Sequence, residues 1–447
     1  MALITGTVIQ FTDGTTGTVR SMIGEGGQGE VYKIDYKGET KALKWFKEHP
    51  GPNVANSIHA NIVRKATLPS YFQWPIAICD NKLGFGYVMD LVDTDKYKEL
   101  KLFIWDAPNC YFKSYSAIIN ACLHICLAFK KLHAYGLAYF DMNHGNFFFN
   151  PENGDLIIID TDNIAPAGHI VTSVQGTSGY MAPELVSFKI PEGVSKSEAE
   201  KYIPRPNRYT DYCSLAFVLF RIIFIDHPLE GEYLDKYPCM TPKVRKFIYG
   251  DKPVFIYDPT NDDNRPIKEL SPTVMERWNQ VPLYIRDAFI KAFSYENLHN
   301  PNTRLMESEW IKIFTKWRSF LCACPNCGKE VHLEYKNGGF CEKCLKSSSI
   351  YWMRIGNDNF VVPLVKGVKL FGSQLGLENK YFDEIAIIAR KKSDSTMVII
   401  NSSSFDWIVT NADNSSQYVV KSGKYVELCD KMKIRFSNFK DAVIRLK

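Results

Sequence analysis

The 447-residue chain has little of what would place it in a membrane or on nucleic acid. Its most apolar stretch, Leu215 to Ile225, is interrupted by Arg221 and falls far short of the about 20 residues that span a bilayer. The opening Met-Ala-Leu-Ile-Thr-Gly has no cationic start leading into an apolar run, so no secretory signal is read there and a cytoplasmic protein is expected. With 54 Lys+Arg against 49 Asp+Glu the formal net charge is only +5, so there is no polybasic field and nucleic acid is disfavoured as a partner. No internal repeat is evident. What is present is the composition of a folded protein, 45% hydrophobic, 13% aromatic and 23% charged, with length for two or three domains. Twelve cysteines would stay reduced in the cytosol, and five of them fall between Cys322 and Cys344.

The first 320 residues begin with short β-like runs (Thr7 to Phe11, Gly29 to Asp35, Lys41 to Phe46, Phe85 to Leu91) and then turn helical. Ser116 to His133 carries a helical stripe through Ile118, Ile119, Cys122, Ile125, Cys126, Phe129 and Leu132. A β-rich lobe over 1–92 and an α-rich lobe over 93–320 are expected. Val186 to Arg208 reads as an exposed insertion. From 350 onward, β-branched and aromatic runs separated by Gly, Asn, Asp and Ser predict an all-β domain.

Ile23 to Val31 reads I-G-E-G-G-Q-G-E-V, with glycines at 24, 26 and 29. Such a turn lets backbone amides approach phosphate oxygens, although three spaced glycines also suit a plain flexible hairpin. One strand later, Lys44 can reach the phosphates of a nucleotide from the inward face. The decisive segment is Tyr139-Phe-Asp-Met-Asn-His-Gly-Asn146. Here Asp141 and Asn146 have the D-x-x-x-x-N spacing of a residue that takes a substrate hydroxyl proton and a residue that binds a metal ion. The apolar strand Leu156 to Ile159 then ends at Asp160, where a carboxylate could hold magnesium against nucleotide phosphates.

In this order, through to Gly176-Thr-Ser-Gly-Tyr-Met-Ala-Pro-Glu184, the residues resemble a protein kinase. The resemblance implies a bilobal α+β fold and ATP- and Mg-dependent transfer of a phosphoryl group to Ser or Thr hydroxyls of a protein. It implies Gly24, Gly26, Gly29 and Val31 over the phosphates, Ala42 and Lys44 beneath them, and an adenine hinge at Met89, Asp90 and Val92. Asp141 would be the catalytic base, Thr177 would position it, Asp211 would orient its loop, and Arg304 would pair with Glu184.

The chain departs from that family at several positions. Tyr139-Phe140 replaces His-Arg before the aspartate, so activity would not depend on capture of an activation-loop phosphate. Asn143 stands where a lysine is expected. Between Lys44 and Trp74 the only acidic residue is Glu48, too early for the helix that should present a carboxylate to the lysine, which leaves Asn56, His59 or Asn61 as neutral partners. Asp160-Thr-Asp162 replaces Asp-Phe-Gly, with Asp162 either a second metal ligand or a solvated turn residue. Thr172, Ser173 and Ser178 are candidate phosphosites. With Trp74-Pro75 and His227-Pro228, these features resemble an atypical bacterial branch that includes kinases of tellurite-resistance modules. That resemblance implies a role in bacterial signalling or stress response and, as partners, a von Willebrand factor A-type protein and a metal-dependent protein phosphatase. The competing expectation is a nucleotide-binding pseudokinase scaffold.

Cys324-Pro-Asn-Cys327 and Cys341-Glu-Lys-Cys344 are two C-x-x-C knuckles separated by 13 intervening residues, the spacing of a structural zinc ribbon over 321–347, with Cys322 as an alternative ligand. Four sulfur ligands leave no place for a catalytic water, so this zinc would be architectural. The β-domain of 350–447 resembles a forkhead-associated-like sandwich without that family's Gly-Arg and Ser-x-x-His motifs.

Overall fold

Alternation of buried and exposed side chains builds the first sheet. The computed structural model describes residues 2–168, 176–356, 360–436, 438 and 440–447. Six antiparallel strands, β1 (Val8–Gln10), β2 (Thr16–Glu25), β3 (Gly29–Tyr36), β4 (Glu39–Phe46), β5 (Ala77–Asn81) and β6 (Gly84–Met89), lie in the order β1-β2-β3-β4-β6-β5. Because side chains alternate along a strand, each face gathers its own core. Leu43 and Trp45 of β4 join Ile9, Val19, Tyr32 and Ile34 on one face. Ala42 and Phe46 join Phe85, Tyr87 and Met89 on the other, where helix α1 (Pro52–Arg64) adds Val54, Ala55 and Ile58.

Helices α2 (Leu100–Trp105) and α3 (Tyr115–Ala134) follow. The predicted stripe of α3 is buried, and so are Ala121, Leu123, Leu127 and Ala128 between its members, so the helix is enclosed nearly all round. Among the described residues it is the one helix long and apolar enough to cross a membrane, but 67% of its apolar window is buried inside the protein, as in a core helix. After α3, Leu137–Tyr139 pairs with Ile164–Pro166, and Phe147–Phe149 pairs with both Leu156–Ile158 and Lys98–Glu99. These short ladders pin both ends of the Phe140 to Asn146 loop. The buried helix Arg208–Phe224 starts with a reciprocal cap: Asn207 accepts from the Tyr209 and Thr210 amides, and the Thr210 hydroxyl accepts from the Asn207 amide. Val186 to Arg208 contains only short helical turns and is mostly exposed or half-buried among its described side chains.

By compactness the chain divides into two units, Met1–Lys113 with Asn120–Trp310, and Ser114–Ile119 with Ile311–Lys447. In the second unit a six-stranded antiparallel sheet runs in the order Val361–Leu364, Tyr351–Ile355, Lys440–Leu446, Lys433–Phe436, Trp407–Thr410, Gln417–Val420. A four-stranded sheet is formed by Lys369–Phe371, Glu384–Arg390, Met397–Asn401 and Tyr425–Glu427. The cysteine-rich segment does not stand apart from these strands: Cys322, Cys324, Val331, Leu333 and Cys341 share one apolar core with Trp352, Met353 and Leu364. A segment of this length has too few apolar residues to form a core alone, and it borrows one.

Candidate functional site

Strand register determines what β4 offers. Lys41 points outward, paired with Glu39 at 2.6 Å and Asp90 at 2.8 Å. Lys44, three residues on, is 5% exposed and points inward. It lies opposite Val31 on β3 and opposite Tyr87 on β6. Its ammonium donates to Asp160 Oδ1 at 3.1 Å and to both oxygens of Asp162 at 2.9 and 3.1 Å. The Tyr87 hydroxyl donates to Asp162 Oδ1 at 2.7 Å. Lysine and tyrosine, cross-strand neighbours on one face, therefore grip the same carboxylate. Burial by itself disfavours the ammonium, but the Asp160 and Asp162 carboxylates outweigh it and hold Lys44 above its ordinary pKa.

This differs from expectation in two respects. No side chain of α1 reaches Lys44: Asn56 and His59 are exposed, and the buried Asn61 faces the backbone carbonyls of Thr161 and Ile164 at 3.5 and 3.4 Å. Asp162 is neither a solvated turn residue nor free to be a second magnesium ligand, because it is 1% exposed and occupied by Lys44 and Tyr87. Asp160 is the accessible carboxylate, with its side chain 28% exposed. Its backbone is left-handed (φ 58°, ψ 47°), which turns the chain between strand and helical turn so that the two carboxylates approach Lys44 together. Burial raises the Asp160 carboxyl; Lys44 opposes that shift and Asp162 adds to it.

The loop after Tyr139 is held by a second network. Asp141 accepts from the Thr177 hydroxyl at 2.7 Å and from the Asn143 amide at 3.1 Å. Asn146 donates to the Asp141 carbonyl at 2.9 Å, so its side-chain oxygen is the atom it can offer a cation. Tyr139 donates its hydroxyl to the Ile159 carbonyl at 2.9 Å and its backbone amide to Asp211 at 2.9 Å. Asp211, in the first turn of the capped helix, also meets His133 Nε2 at 2.9 Å, and His133 Nδ1 contacts Glu307. Burial would lower the His133 pKa, but the two carboxylates raise it to about 9. Glu184 pairs bidentately with Arg304 at 2.8 and 2.7 Å, while the same guanidinium donates to the Asn297, Leu298 and Tyr209 carbonyls. Thr172 and Ser173 lie outside the described residues.

Lys44, Asp141, Asn146 and Asp160 open onto one cleft of about 600 Å³. Gly24, Gly26, Gly29 and Val31 line one side of it, Ala42 and Lys44 its inner wall, and Met89, Asp90 and Val92 its back edge. Asp141, Asn146 and Asp160 line the opposite side, whereas the buried Asp162 is not part of the lining. The glycines have different reasons. A Cβ on Gly24 or Gly26 would meet nothing closer than 3.8 Å, which leaves those backbones approachable by a ligand. A Cβ on Gly29 would sit 2.5 Å from the Trp45 carbonyl oxygen, so that glycine is required by the β3–β4 approach itself. Tyr87, His133 and Glu307 were not singled out from sequence; the only local signal is that Tyr87 occupies an inward position of β6.

In the second unit the Cys324, Cys327, Cys341 and Cys344 sulfurs lie within 4.8 Å of one another, with Cys324–Cys344 at 3.9 Å and Cys327–Cys341 at 4.0 Å. A tetrahedron with metal–sulfur bonds of about 2.3 Å has edges of about 3.8 Å, so the four-cysteine cluster is compatible with zinc. Each knuckle closes on a left-handed residue, Gly328 or Leu345, whose amide donates back to Cys324 O or Cys341 O. Cys322 is buried in a strand opposite Val331 and is outside the cluster, which rules out the alternative ligand.

Comparison with known proteins adds the family. The family model described as "Protein kinase domain" matches residues 18–245. No curated protein matches the chain. Among solved structures, the kinase domain of a Toxoplasma gondii specific rhoptry antigen is similar at 14% identity and a TM-score of 0.43, covering 70% of this chain and 84% of that one.

Proposed function

Because the chain belongs to the protein kinase domain family, we propose that it uses ATP and magnesium to phosphorylate Ser or Thr hydroxyls of a protein substrate. The observation that carries this reading is the Asp141 carboxylate. It is oriented by Thr177 at 2.7 Å and Asn143 at 3.1 Å, on the same cleft as the glycine turn, Lys44, Asn146 and Asp160. The substrate oxygen bonds to the γ-phosphorus as the bond to the β–γ bridging oxygen breaks, and Asp141 takes the hydroxyl proton. Lys44 meets the nucleotide phosphates, and the backbone at Gly24 and Gly26 closes over them. Asn146 and Asp160 are the residues that would hold magnesium, which neutralises charge between the phosphates. Catalysis on this reading is positioning and charge neutralisation.

The test is transfer from [γ-³²P]ATP with magnesium to protein, comparing wild type with Asp141→Asn and Asp160→Asn; equal incorporation in all three would sink the reading. Zinc in the Cys324–Cys327–Cys341–Cys344 cluster belongs to the same proposal as a structural ion. The forkhead-associated-like reading of the last strands is supported by their two antiparallel sheets over one core. The resemblance to the tellurite-module branch extends the proposal to bacterial stress signalling with a von Willebrand factor A-type protein and a phosphatase. Co-purification from cells carrying tagged protein tests that part. A second reading, a nucleotide-binding scaffold without transfer, is favoured by one observation: α1 brings no carboxylate to Lys44. ATP-induced thermal stabilisation with no incorporation into any protein would select it.

A further inference from the structure

The six-stranded sheet of the second unit carries a pocket of about 250 Å³ on its outer face, lined by Tyr335, Trp352, Arg354, Val361, Val443 and Arg445. The strand register builds it. Trp352 and Arg354 are two apart on one strand and so share a face. Trp352 lies opposite Arg445, and Arg354 lies between Val443 and Val361 on the neighbouring strands. The two guanidinium groups thus stand diagonally about an apolar floor. Tyr335, from the cysteine-rich segment, closes one side with its ring 5.5 Å from Trp352 at 83°. Lys447 covers the Tyr335 ring, its ammonium 4.3 Å from the centroid and 2.8 Å from the Tyr335 carbonyl.

Charge and hydrogen bonding are both unmatched at this pocket among the described residues. Among the described residues no carboxylate lines the pocket. Neighbouring charges are matched, Arg435 by Asp441 at 2.7 Å and Glu334 by Lys336 at 3.1 Å. Arg354 and Arg445 have no such partner among the described residues. Trp352 is 1% exposed, yet its indole N–H has no hydrogen-bond partner among the described residues, whereas buried indoles usually find one. A guanidinium offers a planar fork that fits carboxylate and phosphate oxygens, and the aromatic floor suits a ring or an apolar stem. The volume is that of a side-chain-sized group rather than of a whole nucleotide cleft.

We propose that this pocket binds an organic oxyanion, a phosphate or carboxylate carried on an aromatic or apolar stem, with Arg354 and Arg445 taking the oxyanion and Tyr335, Val361 and Val443 taking the stem above the buried Trp352. The site is separate from the cleft of Lys44 and Asp141 and does not depend on phosphotransfer.

The experiment is isothermal titration of the full chain with phenyl phosphate, phenylacetate and inorganic phosphate, repeated on Arg354→Gln and Arg445→Gln. Both arginines are exposed, so the variants retain the fold, which an unchanged melting curve verifies. The expected result is 1:1 binding of phenyl phosphate or phenylacetate that weakens about tenfold or more in each variant, as loss of a charge-assisted hydrogen bond requires. The stronger of the two aromatic anions identifies phosphate or carboxylate as the preferred head group. No binding of either at millimolar concentration, unchanged affinity in both variants, or inorganic phosphate binding as tightly as phenyl phosphate would overturn the proposal.

Discussion

Replacing Asp162 by Asn tests whether Lys44 is anchored from beneath the sheet. The Lys44 ammonium has two contacts with Asp162, at 2.9 and 3.1 Å, with the two side chains only 6% and 1% exposed. Breaking a buried ion pair by neutralising one partner costs about 3–5 kcal/mol. Here the Asp160 contact at 3.1 Å survives, and Tyr87 can still donate to the amide oxygen, so the lower end, about 3 kcal/mol, is expected. At about 2.1 cal/mol/K per residue over a unit of roughly 300 residues, that lowers its unfolding midpoint by about 5 °C. Asp160→Asn is the control with the opposite profile. Its side chain is 28% exposed and makes a single contact with Lys44, so the stability loss should stay near or below about 1 kcal/mol. On the proposed function phosphotransfer should nevertheless fall by about 100-fold or more, because Asp160 is one of the two residues proposed to hold magnesium. Urea denaturation of both variants, alongside single-turnover transfer, separates anchor from metal ligand. If the two variants are equally stable to within about 0.5 kcal/mol, the assignment of Asp162 as the anchor is refuted.

Gly29→Ala should disturb the β3–β4 pairing and lower stability by about 1–3 kcal/mol, since its Cβ would lie 2.5 Å from the Trp45 carbonyl oxygen. Gly24→Ala should leave the melting midpoint unchanged and weaken only ATP binding; equal melting shifts in the two would contradict the steric argument. One zinc per chain should appear by elemental analysis, and Cys341→Ser should abolish it and unfold the second unit, whose core Cys341 shares, as loss of near-ultraviolet circular dichroism there would report. His133, raised to about 9 from an ordinary 6.5, contributes stability that is complete below pH 6.5 and lost as pH rises through 9. Urea midpoints should therefore fall between pH 6.5 and 9 in the wild type by up to about 3 kcal/mol, and His133→Gln should flatten that fall.

What could be read from sequence was whatever the chemistry confines to a short stretch. The glycine turn, Asp141 with Asn146 five residues on, Asp160 at the end of an apolar run and two C-x-x-C pairs all carry their meaning in local spacing. Contacts set by register were hidden. Tyr87 meets Asp162 only because β6 pairs with β4 in a register that puts Tyr87 opposite Lys44. The Lys44–Asp162 pair spans 118 residues, and no pattern around Asp162 distinguishes a buried carboxylate from a solvated turn. The cysteine segment's dependence on Trp352 and Met353 for a core was invisible for the same reason.

The absent carboxylate of α1 was legible, and its consequence changes once the register is known. A lysine that relies on a neighbouring helix for its counter-charge loses orientation whenever that helix moves. Lys44 instead takes its counter-charge from Asp160 and Asp162, on the segment that follows the Leu156–Ile158 strand, while α1 packs on the sheet through Val54, Ala55, Ile58 and Ile62 and brings no charge to the ammonium. The α1 helix touches that segment only through neutral groups, Ser57 donating to the Ile164 carbonyl at 2.9 Å and Asn61 facing the Thr161 and Ile164 carbonyls at 3.5 and 3.4 Å. Control through α1 by making and breaking an ion pair is therefore closed to this chain.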